Sequence, residues 1–475
     1  MRIPMADLLA RHPFAGDILR RLRQAGHEAV IVGGAVRDLL LAARARESEV
    51  PDDVDIATSA PPDLIRGLFS DHKVLAVGES FGVMVVVAPD GRQYEVATFR
   101  TEAGYTDRRR PDWVRWGTLA EDVRRRDFTV NGLAATLEGE VLDLVGGLDD
   151  LAAGLIRTIG DPRARLSEDY LRMLRAVRLA CQLGFAIEER TAAAVRSQAG
   201  QISCISWERI RDELLRVLAT PRSHQGLLLL ADLGLLAHVL PEVQALQGVP
   251  QPPQYHPEGD VFEHTVLAVA VADRLALDPV VKLAVLFHDV GKPAALTRAG
   301  GQHTGGHEAV GSELTAAALR RLRLPARDVG RVCFLVSEHM RLGRLPDMGM
   351  GKQVRLLGVG EQEDAPYEDL PGRFPDFADL LRLFICDAEA SAHRAAAWRP
   401  LLSHTVRLLL HVRRVQGMRR ARQLITGHDL LALGEPPGPR LGRVLSAVHE
   451  RILAGEVVTR DEALALAARL LKGQT

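Results

Sequence analysis

Asp53 and Asp55 are separated by one apolar residue in the run Asp53-Val54-Asp55-Ile56. In an extended strand successive side chains alternate, so both carboxylates are expected on one face and Val54 and Ile56 on the other. Two anions side by side repel unless a cation sits between them. Hard divalent ions such as Mg²⁺ favour oxygen ligands of this kind and bind them together with substrate phosphates. A two-metal site of this type activates an attacking hydroxyl and stabilises a leaving pyrophosphate. Glu95, on a later strand-like run, is a candidate third carboxylate. Upstream, Ala29-Val30-Ile31-Val32 leads through Gly33-Gly34 into a helical pattern. Glycines allow a backbone to approach a phosphate closely, and a helix N-terminus supplies N–H donors and a favourable dipole. The same two glycines are equally what a tight strand-to-helix turn requires.

A second set of residues has a different chemistry. His264, the adjacent His288-Asp289, His307, His339 and Asp387 each fall on a separate helical stretch. Mixed imidazole and carboxylate donors suit Mn²⁺, Fe²⁺, Ni²⁺ or Zn²⁺ better than Mg²⁺ alone. An ion held there would activate water against a phosphate ester. Between the two sets, Asp169 and Arg172 stand three apart. On one helix they would share a face, with Leu171, Leu174, Val177 and Cys181 as the buried stripe. A carboxylate beside a guanidinium can pair with the edge of cytosine or adenine, each of which offers an amine next to a ring acceptor. Uracil and guanine do not present that edge. Taken alone, the pair also reads as an intrahelical ion pair worth about 0.2–0.5 kcal/mol.

The elements that must hold these groups divide the chain. Strand-like runs at 29–32, 54–57, 82–88, 94–99 and 141–144, with a helix at 35–43, make residues 1–150 an α/β head. From about residue 152 the pattern is helical, giving a neck at 151–247, a metal-binding domain at 248–400 and a helical tail at 401–475. Irregular stretches at 248–254, 358–375 and 434–439 mark the breaks. With 475 residues the chain exceeds what one core accommodates. No apolar run approaches the roughly 18 residues that cross a bilayer, and the first residues lack the pattern of a secretion signal. Four cysteines without CxxC spacing exclude a zinc ribbon or disulfide framework and fit a reducing cytoplasm. A formal net charge of −1 does not exclude nucleic acid, because arginines cluster at 108–110 and 124–126.

In order, GGAVRD (33–38), DVDIAT (53–58), EVATFR (95–100), RRRDFTVNGLA (124–134), DLVGGLDDL (143–151), EDYLRMLRAVRLACQLGF (168–185) and ERIRDELLRVL (208–218) resemble the nucleotidyltransferase branch of tRNA CCA-adding enzymes and bacterial poly(A) polymerases. The resemblance implies a polymerase-β-like head. Asp53 and Asp55 would be the catalytic ligands of Mg²⁺, and Gly33, Gly34, Arg37 and Asp38 would frame a triphosphate. Asp127 would sense the ribose 2′-hydroxyl, with Arg126 and Asn131 nearby, and Asp169, Arg172, Arg175 and Arg178 would line the nucleotide. Gly132 stands where the family usually has Ala. Asp107, Arg108, Arg110 and Pro111 occupy the place of a loop motif that favours full CCA or A addition over CC addition.

His264, His288, Asp289 and Asp387 are similar to the ligands of HD phosphohydrolases, with His307 and His339 as the extra histidines of fuller sites. The run from Ile425 onward resembles the tail of bacterial CCA-adding enzymes. Together these imply a cytoplasmic enzyme without membrane attachment that adds C and/or A to tRNA from CTP and ATP without a template. A partner CC- or A-adding enzyme could share the task. Alternatives are an A-adding or CC-adding half-enzyme, a poly(A) polymerase, or a tRNA-binding HD phosphohydrolase with an inactive head.

Overall fold

The structure is a computed structural model that describes the chain except residues 46–49, 79–81, 104–112, 253–255, 301–303, 359–371, 373, 392–395, 454–455 and 473–475. Asp107, Arg108, Arg110 and Pro111 lie outside the described residues. By contact the chain forms two compact units. The first comprises residues 1–251 and 259–333, and the second comprises 252–258 and 334–475.

The first unit begins with a mixed sheet. Its strands are β1 (Ala29–Val32), β2 (Asp55–Thr58), β3 (Lys73–Gly78), β4 (Val83–Val87) and β5 (Gln93–Thr98), followed later by β8 (Leu133–Ala135) and β9 (Val141–Asp143). Between these sets, β6 (Arg100–Ala103) and β7 (Trp113–Trp116) form a separate hairpin. The seven strands of the main sheet run in the order β3-β4-β5-β2-β1-β8-β9. Alternation sends Ile31, Ile56, Val86 and Val96 to one face, where they pack with Leu8, Ile18, Leu22, Val36 and Leu40. Val30, Val32 and Ala57 go to the other, against Phe99, Leu119 and Val123. The sheet therefore carries a separate apolar cluster on each face, with the carboxylates at the start of β2.

Two local differences from the sequence expectations bear on the site. β2 begins at Asp55, so Asp53 precedes the strand. The cause is its neighbour: β1 ends at Val32, paired with Asp55, because the chain turns away at Gly33. The alternation nevertheless survives, since Val54 and Ile56 are buried and Asp53 and Asp55 are exposed. The second correction concerns Asp169 and Arg172, which do not share a helix. One helix (Pro162–Glu168) stops before Asp169 and the next (Arg172–Leu183) starts at Arg172. Asp169 is extended (φ −152°, ψ 104°), and its Oδ1 accepts the Leu171 N–H at 3.1 Å. An aspartate that bonds the backbone two residues on competes with helix and breaks it.

Further helices at Glu189–Gln198, Trp207–Leu218 and Ser223–Asp232 complete the neck. It continues into Val261–Arg274 and Pro279–Phe287, joined by a buried charge. Lys282 is 2% exposed; its ammonium donates to the Leu218 carbonyl at 2.8 Å, to the Thr220 carbonyl at 3.0 Å and to Asp273. Asp273 also accepts the Ser223 hydroxyl at 2.6 Å and the His224 N–H at 3.0 Å. Burial would raise the Asp273 carboxyl, but the Lys282, Ser223 and His224 hydrogen bonds hold it below its ordinary value.

The second unit is helical. Ile425, Leu430, Val444, Val448 and Ala463 form its C-terminal core, and the Arg460–Leu471 helix opens on a Thr459/Glu462 capping box. No helix among the described residues is long and apolar enough to cross a membrane.

Removing one partner of a buried ion pair strands the other charge. Lys282→Ala should therefore cost about 3 kcal/mol or more and lower the thermal unfolding midpoint. A midpoint equal to that of the parent protein would show that Asp273 is satisfied without the lysine.

Candidate active sites

The first site grows from the sheet end described above. β2 and β5 are parallel, with Ile56 beside Val96, which brings Glu95 next to Asp55. The Asp55 carboxyl is pushed up by desolvation in this crevice, then by the charges of Glu95 and Asp53, with Arg126 acting in the opposite sense. A carboxylate whose charged form is disfavoured by burial and by acidic neighbours is one that a divalent cation would stabilise. The oxygen-only donor set of Asp53, Asp55 and Glu95 fits such an ion.

Gly33 has φ +78°, a conformation that L side chains rarely adopt. A Cβ there would stand 3.2 Å from Arg126 Nη1, so the guanidinium lies close against the turn. The turn thus brings a cationic guanidinium over the start of the Gly34–Ala45 helix. Arg37 on that helix is buried, its Nε donating to Asp38 Oδ1 at 2.7 Å and its Nη1 to Asn131 Oδ1. Asn131 Nδ2 points in turn to Asp127 Oδ1 at 3.4 Å. Asp127 accepts Arg175 Nε at 2.8 Å and the Phe128 N–H at 2.8 Å. Burial alone would raise this carboxyl. The charges of Arg175 and Arg172 and the Phe128 N–H outweigh it and bring the pKa to about 2. Because the folded value lies below the unfolded one, the ionised Asp127 contributes stability above about pH 4 that is lost as pH falls toward 2.

Gly33, Gly34, Arg37, Asp38, Arg126, Asp127, Asn131 and Arg175 thus belong to one connected structure reaching from head to neck. Asp169, Arg172 and Arg178 continue it along the neck. Arg172 Nη1 donates to the Arg165 carbonyl at 2.6 Å and to Glu168. Arg178 Nε donates to Glu213 at 2.8 Å, and Asp169 is gripped by Arg209. Arg165, Glu168, Arg209 and Glu213 are partners that sequence reasoning did not single out. Arg209, Glu213 and Arg216 repeat at i, i+4 and i+7 on a helix whose Ile210, Leu214 and Val217 are buried. That charged stripe was a readable signal.

The second site lies beyond the neck. His264 sits on the Val261–Arg274 helix, and His288-Asp289 follows Pro279–Phe287. His264, His288 and Asp289 are all buried, with ligand atoms within 4.8 Å of one another. The Nδ1 of His288 lies 2.7 Å from the Val285 carbonyl, which aims Nε2 toward Asp289 Oδ2, 3.2 Å away. Anchoring one ring nitrogen on a carbonyl is how a metal-ligating histidine is oriented. His307 shows the same anchoring to the Thr304 carbonyl at 2.9 Å, and its Nε2 is 3.2 Å from Asp289 Oδ1. Burial would raise the Asp289 carboxyl, but His288 and Lys292 hold it well below the usual range. These buried imidazole and carboxylate groups fit a divalent transition metal. His339 and Asp387 lie in the second unit, both buried, on the helices Ala326–Leu342 and Pro375–Ala390. His339 Nδ1 is likewise anchored, 2.7 Å from the Val336 carbonyl.

Gly291 enforces the approach of His307. A Cβ at position 291 would stand 2.0 Å from the His307 carbonyl oxygen and 2.6 Å from the Gly311 nitrogen. Gly291→Ala should therefore displace the His307–Arg321 helix, lower bound metal as measured by elemental analysis, and reduce the unfolding midpoint. Full metal content in that variant would remove this role.

Comparison with known proteins follows this division. Residues 29–157 match the Poly A polymerase head domain, and 184–246 match the family described as "Probable RNA and SrmB- binding site of polymerase A". Residues 261–381 match the HD domain, and 418–468 a tRNA nucleotidyltransferase domain 2. The A-adding tRNA nucleotidyltransferase of Deinococcus radiodurans is 34% identical over 454 residues, covering 93% of this chain and 95% of that protein. The CCA-adding enzyme of Geobacillus sp. (strain WCH70) is 45% identical over 232 residues, 48% of this chain and 55% of that one. The chain thus spans about half the length of the curated CCA-adding relatives it matches. Among solved structures, the Bacillus stearothermophilus CCA-adding enzyme in complex with CTP superimposes with a TM-score of 0.62 at 28% identity, over 97% of both chains. The Thermotoga maritima CCA-adding enzyme complexed with tRNA, at 18% identity and a TM-score of 0.54, shares the fold. A head with paired carboxylates, a helical neck and an HD segment, matched almost end to end by a relative at this identity, place the chain in the tRNA nucleotidyltransferase family.

Proposed function

We propose that the chain is a template-independent tRNA 3′-terminal nucleotidyltransferase that adds C and/or A from CTP and ATP. The observation that carries this reading is the placement of Asp53, Asp55 and Glu95 beside the Gly33-Gly34 turn, with Arg126 over it. Asp53 and Asp55 would hold Mg²⁺, which supplies activation of the tRNA 3′-hydroxyl and charge stabilisation of the leaving pyrophosphate. The Gly33-Gly34 turn and Arg126 receive the triphosphate, with Arg37 fixing Asp38 and Asn131 beside it. Asp127, kept ionised, accepts from the ribose 2′-hydroxyl. Asp169 and Arg172 read the base edge. The 3′-hydroxyl then attacks the α-phosphate in line with the departing pyrophosphate.

A second reading, addition of A alone, is favoured by a relative that matches 93% of the chain and is named an A-adding enzyme. A separate CC-adding enzyme would then be its partner. His264, His288, Asp289 and His307 would hold Mn²⁺, Ni²⁺ or Fe²⁺ for hydrolysis of a phosphate ester. A 2′,3′-cyclic phosphate at a damaged tRNA end is the substrate this reading favours. Four free cysteines, two of them buried, accord with a cytoplasmic location.

The test uses tRNA transcripts ending before CCA, after the first C and after CC, each given CTP and ATP separately and together. Completion of all three to CCA establishes CCA addition, and a single A on the CC-ending transcript alone establishes A addition. Halting at CC or growing long A tails would replace the reading with a CC-adding enzyme or a poly(A) polymerase. Asp55→Ala should abolish incorporation by at least about 100-fold; an active variant would remove the carboxylate mechanism.

A further inference from the structure

Of the three carboxylates at the head site, two are placed by the sheet. Asp55 opens β2 opposite Val32, and Glu95 lies within β5. Asp53 precedes its strand, outside the register of the sheet. The chain that delivers it is held two residues upstream, at the Pro51 carbonyl. His12 Nε2 lies 2.8 Å from that oxygen. A carbonyl only accepts, so Nε2 carries the proton and donates. In the neutral ring Nδ1 is then an acceptor, and it stands 3.2 Å from the Tyr94 hydroxyl, which donates to it. Tyr94 is the residue before Glu95 on β5. One imidazole therefore bridges the segment entering Asp53 and the strand that bears Glu95.

Local sequence puts the ring there. His12 stands between the helices Met5–Arg11 and Pro13–Gln24. A residue before proline is kept out of the helical region, and His12 has φ −123° and ψ 63°. The chain turns at this point and the imidazole goes inward. It is 3% exposed and stands edge-on to Tyr94, with ring centres 6.0 Å apart. The neighbouring contact, Arg11 to Asp52, is an exposed ion pair, and pairs of that kind contribute little to fixing a segment. The buried histidine is the stronger anchor.

We infer that His12 is a positioning residue for the metal site of the head, fixing the approach of Asp53 to Asp55 and Glu95 through the Pro51 carbonyl. The inference rests on the reading that Asp53 and Asp55 hold Mg²⁺. A carboxylate keeps its charge in any direction, but it gives a cation full affinity only when its oxygen is held in place. Without His12 the Pro51 carbonyl loses its donor, the segment relaxes, and Asp53 must be ordered by the ion itself. The Gly33-Gly34 turn and Arg126 are untouched by that change. The loss therefore falls on the Mg²⁺ requirement, and nucleotide affinity at saturating Mg²⁺ is kept.

The experiment measures binding of labelled ATP to the full chain by equilibrium dialysis across a Mg²⁺ series, without tRNA and therefore without turnover. The variants are His12→Phe, His12→Gln, Tyr94→Phe and Asp53→Ala, each checked by thermal unfolding. Phenylalanine keeps a ring but neither hydrogen bond, whereas the glutamine amide can still donate to the Pro51 carbonyl. In His12→Phe the Mg²⁺ concentration that gives half-maximal binding should rise by roughly tenfold or more, with parent-like binding at saturating Mg²⁺. His12→Gln should recover most of that shift. Tyr94→Phe, which frees the ring at Nδ1 alone, should give a smaller rise, and it carries the test if His12→Phe does not fold. A parent-like Mg²⁺ midpoint in His12→Phe, or in Tyr94→Phe where that stands in, alongside a raised midpoint in Asp53→Ala would overturn the role of His12 and leave the metal reading intact. Binding lowered by the same factor at every Mg²⁺ concentration would mark a general loss of structure, which also overturns the inference. An unchanged midpoint in Asp53→Ala would sink the metal-binding premise itself.

Discussion

The ion pair between Asp127 and Arg175 is what the candidate site in the head depends on. Asp127 comes from the segment that precedes β8, and Arg175 from the first long helix of the neck. A buried carboxylate is tolerated only when it is paired and hydrogen-bonded, and here the partner must be supplied by another domain. Head and neck are therefore tied at the point where ribose and base would be read. The ties at either side extend it: Asn131 links Asp127 to Arg37 and the glycine turn, and the Arg165 guanidinium reaches back to the Arg124 and Arg125 carbonyls.

Much of this was legible in the residues themselves. Alternation around Asp53 and Asp55 predicted one wet and one dry face, and the burial of Val54 and Ile56 follows it. The glycine turn, the apolar run before His288 and the change from strand to helix after residue 150 were equally readable. What escaped has identifiable causes. Lys73–Gly78 and Leu133–Ala135 are short or carry polar ends, so they give weak periodic signals. Among the described residues the Arg100–Ala103 and Trp113–Trp116 strands pair only with each other, and no core pattern marks them. The break at Asp169 was hidden because the apolar stripe of Leu171, Leu174 and Val177 runs past it. Only the side-chain bond from Asp169 to the Leu171 amide decides for a turn, and that competition between local hydrogen bonds is invisible to a hydrophobic pattern.

The two candidate sites use opposite electrostatic strategies. In the head the carboxylates stay exposed and mutually repelling, an arrangement suited to a cation that arrives with its substrate. At the HD turn the imidazoles and Asp289 are buried, and the His288 and His307 rings are each anchored through one nitrogen, which suits a resident ion. The buried Lys282–Asp273 contact, with the Lys282 bonds to the Leu218 and Thr220 carbonyls, ties the neck to the helices that bear and precede His264 and His288.

The order of strands in the sheet has a consequence for how the molecule is made. β1 pairs with β8 through Ile31 and Ala135, about a hundred residues later in the chain. Contacts of such long sequence separation form slowly, because the loop between them must be closed first. The segment that carries Asp127 immediately precedes β8, and Asp127 is paired with Arg175 from further on still. During synthesis the carboxylates of β2 therefore emerge well before the residues that would complete their pocket. A complete pocket around those carboxylates is therefore expected only once the neck has docked, rather than accumulating as the head grows.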